Sequence, residues 1–571
     1  MTAVPAPRPY QANPRYDPVE GAVVRGWSAA GDELPGEPTV LALDGPSVST
    51  WDAAVAGLAG ALRGRGRHVA LLDLREHFAP WEQIVEQTSS PELANDPHFE
   101  RLATASLRSF FADLPAPRRP RDGVLIVYGP GAALVEHDVL WYADLPKRYA
   151  EAAITAGTAG NLGQPAKTGA GTTKALFYID WPILDRHRED IASRIDRWID
   201  LQDPVHPASI DGSTLRRTAA RLAERPFRTR PTFNTTSWGG HWAQRELGFN
   251  PQARNTALGY ELIAPESGIL VGTAGAEVEV PFQLVVALEP RQVLGDRVHD
   301  TFGTSFPIRF DYLDTVDGGN LSVHVHPQPE YMRKVFGWPY TQHETYYIML
   351  GGEDRKVFLG LREGVDVKTF YEHAHTAHQH ADPFDIEQHV QTFPAEPHRL
   401  FVIPAGTPHG SGEGNVVLEV SATPYLYSLR FYDWLRHDEE GAQRPIHLQH
   451  AFDNLNAGRS GRMVADDLVQ APRAIRHGLG WCEELLGSLP EMFFEVRRIV
   501  IDSGEPAPDD TDGRFHVLNV VDGEGALIEV ESGDRHTLAY AETLVVPAAV
   551  GRYSIRRAGT RPVRLVKALV R

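Results

Sequence analysis

The sequence predicts a multidomain chain of mixed class: an α/β domain first, then two antiparallel β domains, of barrel or sandwich type, with helical connectors. Three observations carry this reading. Residues 38–175 alternate short apolar runs (39–43, 68–74, 123–128) with helical patterns such as 51–62, the rhythm of a parallel sheet. Residues 231–445 and 491–571 change texture to short alternating strands broken by Gly and Pro, for example 278–280, 321–326, 346–350, 416–420 and 517–521. The length, 571 residues, leaves room for three or four domains at roughly 100–200 residues each.

Taken in order, residues 1–37 are rich in Pro and Gly and read as an extended arm. Residues 38–175 form the α/β domain. Residues 176–230 read as a helical connector, since 190–199 (Asp-Ile-Ala-Ser-Arg-Ile-Asp-Arg-Trp-Ile) spaces its apolar residues as a helix does. Residues 231–445 form the first barrel, 446–490 a helical segment and 491–571 a second, smaller barrel. In the last of these, Asp522-Gly523 and Ser532-Gly533 mark turns between strands 517–521, 527–530, 543–546 and 563–570.

Composition bounds the chemistry. Apolar content of 42% and charged content of 23% are those of a soluble globular protein. A net charge of −19 repels phosphate backbones and anionic lipid, which argues against nucleic acid and membranes as partners. A small phosphorylated ligand stays open, because a few Arg side chains in one pocket hold it. The single cysteine, Cys482, excludes a disulfide framework and a thiolate zinc site. The first residues show no basic stretch leading into an apolar core, and no apolar run approaches roughly 18 residues, so a cytoplasmic location is expected.

The most informative segment is Leu321-Ser322-Val323-His324-Val325-His326-Pro327. Side chains alternate across a strand, so Ser322, His324 and His326 share one face and the two imidazoles can point at one ion. Glu344 opens a strand pattern, Glu344-Thr345-Tyr346-Tyr347-Ile348, and can supply a carboxylate oxygen. Phe401-Val402-Ile403-Pro404-Ala405-Gly406-Thr407-Pro408-His409 runs a strand into a Pro/Gly turn with a His directly after it. Among 24 histidines a lone one signals little, but four donors in this order do. Three imidazoles and one carboxylate suit Zn²⁺ first, with Mn²⁺, Fe²⁺ or Ni²⁺ as alternatives. A second imidazole-rich stretch, Tyr371-Glu372-His373-Ala374-His375-Thr376-Ala377-His378-Gln379-His380, reads as a solvated helical insertion rather than a second site.

The motif pair His-x-His, Glu, Pro-x-Gly-x-x-His is that of cupin barrels, and the segments around it resemble type I phosphomannose isomerases. Residues 321–327, Glu344 and 404–409 match the family's zinc-binding segments. Trp238-Gly239-Gly240 fits the opening of its barrel. Leu429-Arg430-Phe431-Tyr432-Asp433-Trp434 and Pro445-Ile446-His447-Leu448 look like stretches that follow the last ligand. The resemblance spans about 231–571 and implies a bicupin. Two positions depart from it: the family's Gln ligand is His324 here, and the Lys two residues before the Glu ligand is Gln342. The second barrel has the turn 545–551 (Val-Val-Pro-Ala-Ala-Val-Gly) without a His, so no metal is expected there, and packing or contacts in a homodimer are its expected uses. The amino-terminal domain resembles a decayed P-loop kinase of the uridine kinase type. Residues 43–51 (Leu-Asp-Gly-Pro-Ser-Val-Ser-Thr-Trp) stand where a phosphate loop would, with Val48 in place of a Gly and no Lys, so no nucleotide is expected.

The resemblance implies a metal-dependent aldose–ketose isomerase that converts mannose 6-phosphate to fructose 6-phosphate through an enediolate. Arg430 would stabilise the enediolate or contact the substrate, with a salt bridge to Asp433 as its alternative use. Ser322 would bond the substrate or a ligand. The base is not assigned. Three other readings compete: an Fe²⁺ dioxygenase of the cupin class, an isomerase of another sugar, and a non-catalytic sugar-binding protein.

Overall fold

Strands apolar at every position belong at the centre of a parallel sheet, where both faces are covered. Thr39–Asp44 is buried along its whole length. A computed structural model, which describes residues 6–422, 425, 427–438, 441–502 and 505–571, places it inside a seven-stranded sheet. The order is Val23–Arg25, Ala208–Asp211, Arg197–Asp200, Val139–Asp144, Thr39–Asp44, Val124–Tyr128, Val69–Asp73. The last five of these run parallel and the first two are antiparallel additions. The helix Trp51–Gly64 turns Trp51, Val55, Leu58 and Leu62 onto the sheet.

Two expected boundaries change here. Residues 176–230 are not only a helical connector. Between the helices Trp181–Ile191 and Gly212–Ala223 lie the strands Arg197–Asp200 and Ala208–Asp211, which complete the amino-terminal sheet. Trp198 and Ile199 are both fully buried, so this short strand shows no alternation and its apolar spacing mimics a helix. The arm is not free either. Arg15–Tyr16 pairs in parallel with Gly268–Thr273, and Val23–Arg25 pairs with Ala208–Asp211; the first five residues of the expected arm lie outside the described residues.

Two β units follow. In the first, a six-stranded sheet (order Leu400–Ile403, Glu344–Leu350, Val416–Ala422, Ile308–Asp314, Leu258–Leu262, Thr232–Asn234) faces a five-stranded one (Val390–Ala395, Gly352–Leu361, His409–Ser411, Val323–Val325, Leu429–Tyr432). In the second, a six-stranded sheet (Arg473–Gly478, Trp481–Gly487, Phe494–Ile501, Val563–Val570, His516–Asp522, Thr543–Val546) faces a four-stranded one (Ala507–Asp510, Arg552–Arg557, Gly525–Val530, Arg535–Ala539). Eight strands of each unit, from Ile308–Asp314 to Val416–Ala422 and from Phe494–Ile501 to Val563–Val570, take the same places in the same chain order.

The second unit begins earlier than expected. The stretch 446–490 holds the short helices Leu448–Asn454 and Arg462–Leu468, and then a hairpin rather than more helix. Its two-residue loop is Leu479-Gly480, between the paired Gly478 and Trp481. Gly480 has φ +74°, which glycine adopts without strain, and Leu479 stands in solvent.

The three parts share one interior. Trp198 of the first domain, Phe282 and Tyr312 of the first β unit and Phe515 and Val545 of the second belong to one buried cluster. The fully buried Arg228 ties the parts together, with Nη1 2.6 Å from Glu542 Oε1 and Nη2 3.8 Å from Glu261 Oε2. Among the described residues no helix is long and apolar enough to cross a membrane.

Candidate metal centre

His324 sits in the strand Val323–Val325, with Val323 and Val325 turned outward into a hydrophobic cluster. The alternation sends the His324 and His326 imidazoles to the other side, between the two sheets. His409 opens the neighbouring strand and pairs with His324. The turn that delivers it requires Gly406: its φ is +82°, its N–H donates to His326 O at 3.0 Å, and a Cβ there would lie 2.8 Å from Asn454 O. Glu344 comes from the opposite sheet, at the start of Glu344–Leu350, paired with Ile403 and Ser421.

The structure therefore brings His324, His326, Glu344 and His409 to one point. One donor atom from each lies within 4.8 Å of the others, and all four residues are buried. The three rings sit 4.3–5.2 Å apart, centroid to centroid. Each imidazole is pinned by a backbone carbonyl: His324 Nδ1 to Ser322 O (2.9 Å), His326 Nδ1 to Tyr427 O (3.2 Å) and His409 Nδ1 to Thr407 O (2.8 Å). A carbonyl only accepts, so Nδ1 carries the proton and Nε2 keeps its lone pair for the centre. His326 Nε2 lies 2.8 Å from Glu344 Oε1, and His409 Nε2 lies 3.0 Å from Glu344 Oε2. His326 Nε2, His409 Nε2 and Glu344 Oε2 are nonetheless buried without a satisfied hydrogen bond. Orphaned buried donors and acceptors are rare in proteins, and a shared divalent cation would satisfy all three. The residues present fit such an ion.

Electrostatics agree with that fit. Burial, then the imidazoles of His409 and His326, hold His324 well below the ordinary imidazole value, so it is neutral near pH 7. Burial works to raise the Glu344 carboxyl, but His326 and His409 outweigh it and hold Glu344 well below the usual carboxylate range. A neutral imidazole at His324 and an ionised carboxylate at Glu344 are the forms that bind a metal. Gln342 donates its amide N–H to Glu344 Oε1 and so orients that carboxylate.

A cavity of about 270 Å³ opens beside the cluster and reaches His324, Glu344 and Ser322. One wall holds three buried charged residues from the six-stranded sheet that the sequence reading did not single out. Arg309 Nε donates to Asp311 Oδ2 at 2.7 Å, and Asp311 lies directly across from Glu419. Burial, with Glu344 and Asp311 nearby, pushes Glu419 well above the usual carboxylate range. Burial likewise raises Asp311, while Arg309 opposes the rise.

The other wall holds Arg430, whose strand position faces His324. Asp433 is not its partner: that carboxylate pairs with Arg436 and Arg444. Among the described residues Arg430 makes no ion pair, and its Nη1 donates to Pro445 O at 3.2 Å. Burial, then Arg444, lowers Arg430 to about 10, so it remains a cation at neutral pH. A larger groove of about 520 Å³ around Asp317, Lys356 and Glu413 touches none of the four donors. The imidazole-rich stretch forms the helix Val367–His380, capped by Asp366 and packed through Phe370, Ala374 and Ala377.

Comparison with known proteins bears on both halves of the chain. Residues 26–224 match a family described as Domain of unknown function (DUF8485). The mannose-6-phosphate isomerase of Streptococcus mutans serotype c is 27% identical over 225 residues, 39% of this chain and 65% of that protein. The chain thus spans just under two thirds of that relative's length. The mannose-6-phosphate isomerase ManA of Bacillus subtilis is 26% identical over 235 residues, 41% of this chain and 68% of that protein. A crystal structure of the mannose 6-phosphate isomerase from Bacillus subtilis superposes on 60% of this chain and 99% of its own, with a TM-score of 0.49 and 20% identity. Over about 40% of its length, then, the chain is homologous to mannose-6-phosphate isomerases at modest identity.

Proposed function

We propose that the chain is a metal-dependent aldose–ketose isomerase that acts on a phosphorylated hexose, with mannose 6-phosphate and fructose 6-phosphate as the pair to test first. The observation that carries this reading is the convergence of His324, His326, Glu344 and His409, three of them with unsatisfied atoms, at a cavity also lined by Arg430, which makes no ion pair among the described residues. On this reading the two β units are cupin barrels, and the first holds Zn²⁺, with Mn²⁺ or Fe²⁺ as the alternatives. The amino-terminal domain is read as P-loop-like without nucleotide; what supports this is that Asp44, at the start of the loop, is held inside the domain, accepting from the N–H groups of Gly45, Gly131 and Ala133 at 2.7, 3.1 and 2.8 Å.

Held by His324, His326, Glu344 and His409, a divalent ion would supply Lewis acidity, which makes a hydrogen next to a carbonyl more acidic. The chain's own residues do the rest. Arg430 offers N–H groups to the oxygen that gains negative charge as that hydrogen leaves. Asp311 and Glu419, paired across strands with both carboxyls raised, hold a proton between them. The pair takes the C2 hydrogen as a proton and returns it to C1 while the proton of the C2 hydroxyl moves to the C1 oxygen, so the C2–H and O–H bonds broken are matched by the C1–H and O–H bonds formed. Ser322, at the same wall, bonds a substrate hydroxyl. A second reading has one observation in its favour: a third imidazole, His324, gives a donor set that also suits Fe²⁺ and oxygen chemistry.

The test is turnover of mannose 6-phosphate by stripped protein reloaded separately with Zn²⁺, Mn²⁺ and Fe²⁺, beside an Arg430→Gln variant. Metal-dependent turnover is expected, with kcat about 10²–10³-fold lower in the variant, the cost of removing one oxyanion donor. Oxygen uptake by the Fe²⁺ form without isomerisation would favour the second reading. Equal turnover of unphosphorylated mannose would remove the phosphate from the proposal.

A further inference from the structure

Two of the three imidazoles are oriented locally. His324 and His409 bond carbonyls two residues before themselves. His326 is different: its acceptor, Tyr427 O, lies 101 residues away, so the direction of its Nε2 depends on where Tyr427 is held. The amino-terminal domain does the holding. The Tyr427 hydroxyl donates to Glu100 O at 3.0 Å. The Tyr427 ring stacks on Tyr178 at 4.9 Å and, within its own unit, on Phe336 at 3.9 Å. Phe99 closes the group, 5.8 Å from the Tyr427 ring and 4.7 Å from that of His447. His447 in turn accepts from Arg430 N at 3.2 Å and donates its own N–H to Arg430 O at 2.9 Å.

The segment that carries Phe99 and Glu100 is anchored at both ends. Asp96 Oδ2 meets His450 Nε2 at 2.6 Å, and Leu102 N donates to Phe336 O at 2.9 Å. Leu93, Phe99, Leu102 and Tyr178 lie in the same buried cluster as Val323 and Val325, the outward residues of the strand that bears His324. The domain thus forms the backing of a ligand strand as well as the clamp on Tyr427.

We infer that the amino-terminal domain has a function in the metal centre of its neighbour: through Phe99, Glu100 and Tyr178 it fixes Tyr427, whose carbonyl aims His326 at the ion. These are positioning residues, and they act through Tyr427 rather than on a substrate. The inference rests on the metal-centre part of the proposed function and not on the identity of the sugar.

The test uses the full chain and Co²⁺ as the probe, measured by titration against a competing chelator and by the visible spectrum of the bound ion. Phe99→Ala combined with Tyr178→Leu is expected to weaken Co²⁺ binding by about tenfold or more and to change the spectrum, the usual scale for loss of a group that orients a ligand. Tyr427→Phe, which removes one hydroxyl and keeps the ring and the carbonyl, is expected to weaken it roughly two- to tenfold, the worth of one hydrogen bond. Val205→Ser, at an exposed site of the same domain, is expected to bind as the wild type does. Hydrogen exchange in Val124–Tyr128 checks that the domain is folded in each variant. If the double variant fails to fold, the contrast of Tyr427→Phe with Val205→Ser decides alone. Unchanged Co²⁺ affinity and spectrum in folded double variant and in Tyr427→Phe would overturn the clamp and leave the metal centre standing. Wild-type protein that binds no Co²⁺ would overturn the metal centre itself.

Discussion

An ion that binds the folded chain and not the unfolded one raises its stability by mass action, and here that effect has a calculable size. Stripped protein leaves Glu344 Oε2, His326 Nε2 and His409 Nε2 buried without hydrogen-bond partners, so binding both satisfies them and adds its own free energy. At a free ion concentration 100 times Kd, the gain is about 2.7 kcal/mol. The first β unit has the size of a domain for which 1 kcal/mol moves Tm by about 2–4 °C, so its transition is expected to rise by roughly 5–10 °C. His409→Ala removes an imidazole that is 0% exposed and sits in the middle of the cluster. At the same ion concentration that variant is expected to lose most of the rise. Differential scanning calorimetry of stripped protein, with and without Zn²⁺, reads both numbers. An equal rise in wild type and His409→Ala would refute the reasoning, since the ion would then be binding elsewhere. No rise in either would remove the metal from the chain.

Two further outcomes follow from buried charge. Lys567, 1% exposed, has its ammonium 2.6 Å from both Glu483 Oε1 and Asp509 Oδ2; Lys567→Met leaves Glu483 with Arg476 and Arg497 and Asp509 with Arg476 and the Tyr553 hydroxyl, and is expected to destabilise the second β unit by about 1–3 kcal/mol in urea unfolding, whereas a loss under about 0.5 kcal/mol would mean the remaining partners suffice. Burial pushes the Asp180 carboxyl up to about 7, against hydrogen bonds from Asn161 and Leu162 that lower it. Between about pH 4 and pH 7 the folded chain therefore holds a proton that the unfolded chain releases, and stability falls as pH rises through that window, by on the order of 4 kcal/mol in all. Asp180→Asn is expected to flatten this part of the profile, and an unchanged slope would show that the carboxylate is solvated.

The four donors were legible in the sequence because their signals are local: a two-residue period on one strand and a Pro/Gly turn that delivers a His. Other features of the site were not. Arg309 and Asp311 alternate with Phe310 and Tyr312, and Glu419 with Leu418 and Val420. On a strand, that pattern normally means a face turned to solvent, and nothing local distinguishes solvent from an interior cavity. The role of Gln342 was equally hidden, since its amide meets a ligand that only the fold places beside it. Arg197–Asp200 was misread for a related reason: a short strand covered on both faces loses its period and borrows that of the helix before it. The contact from Tyr427 to Glu100 joins residues 327 apart, and no periodicity reaches that far.

The two β units state the same electrostatic problem and solve it differently. His516 takes the place in its sheet that Glu344 takes in the first, each pairing with the strand before the turn and with the last strand of its unit. Counting two residues back along that last strand, Lys567 then stands where Glu419 stands. Asp509 lies on the strand that corresponds to Val323–Val325. Buried carboxylates need a cation. The second unit carries one on its own chain, the Lys567 ammonium held between Asp509 and Glu483, and burial followed by Lys567 keeps His516 down at about 3, neutral beside it. The cavity of the first unit is lined by the guanidinium groups of Arg309, Arg430 and Arg444, but among the described residues none of them pairs with Glu344, whose ion-pair contacts are the imidazoles of His326 and His409. That difference is the physical reason to place an exchangeable ion in the first unit alone.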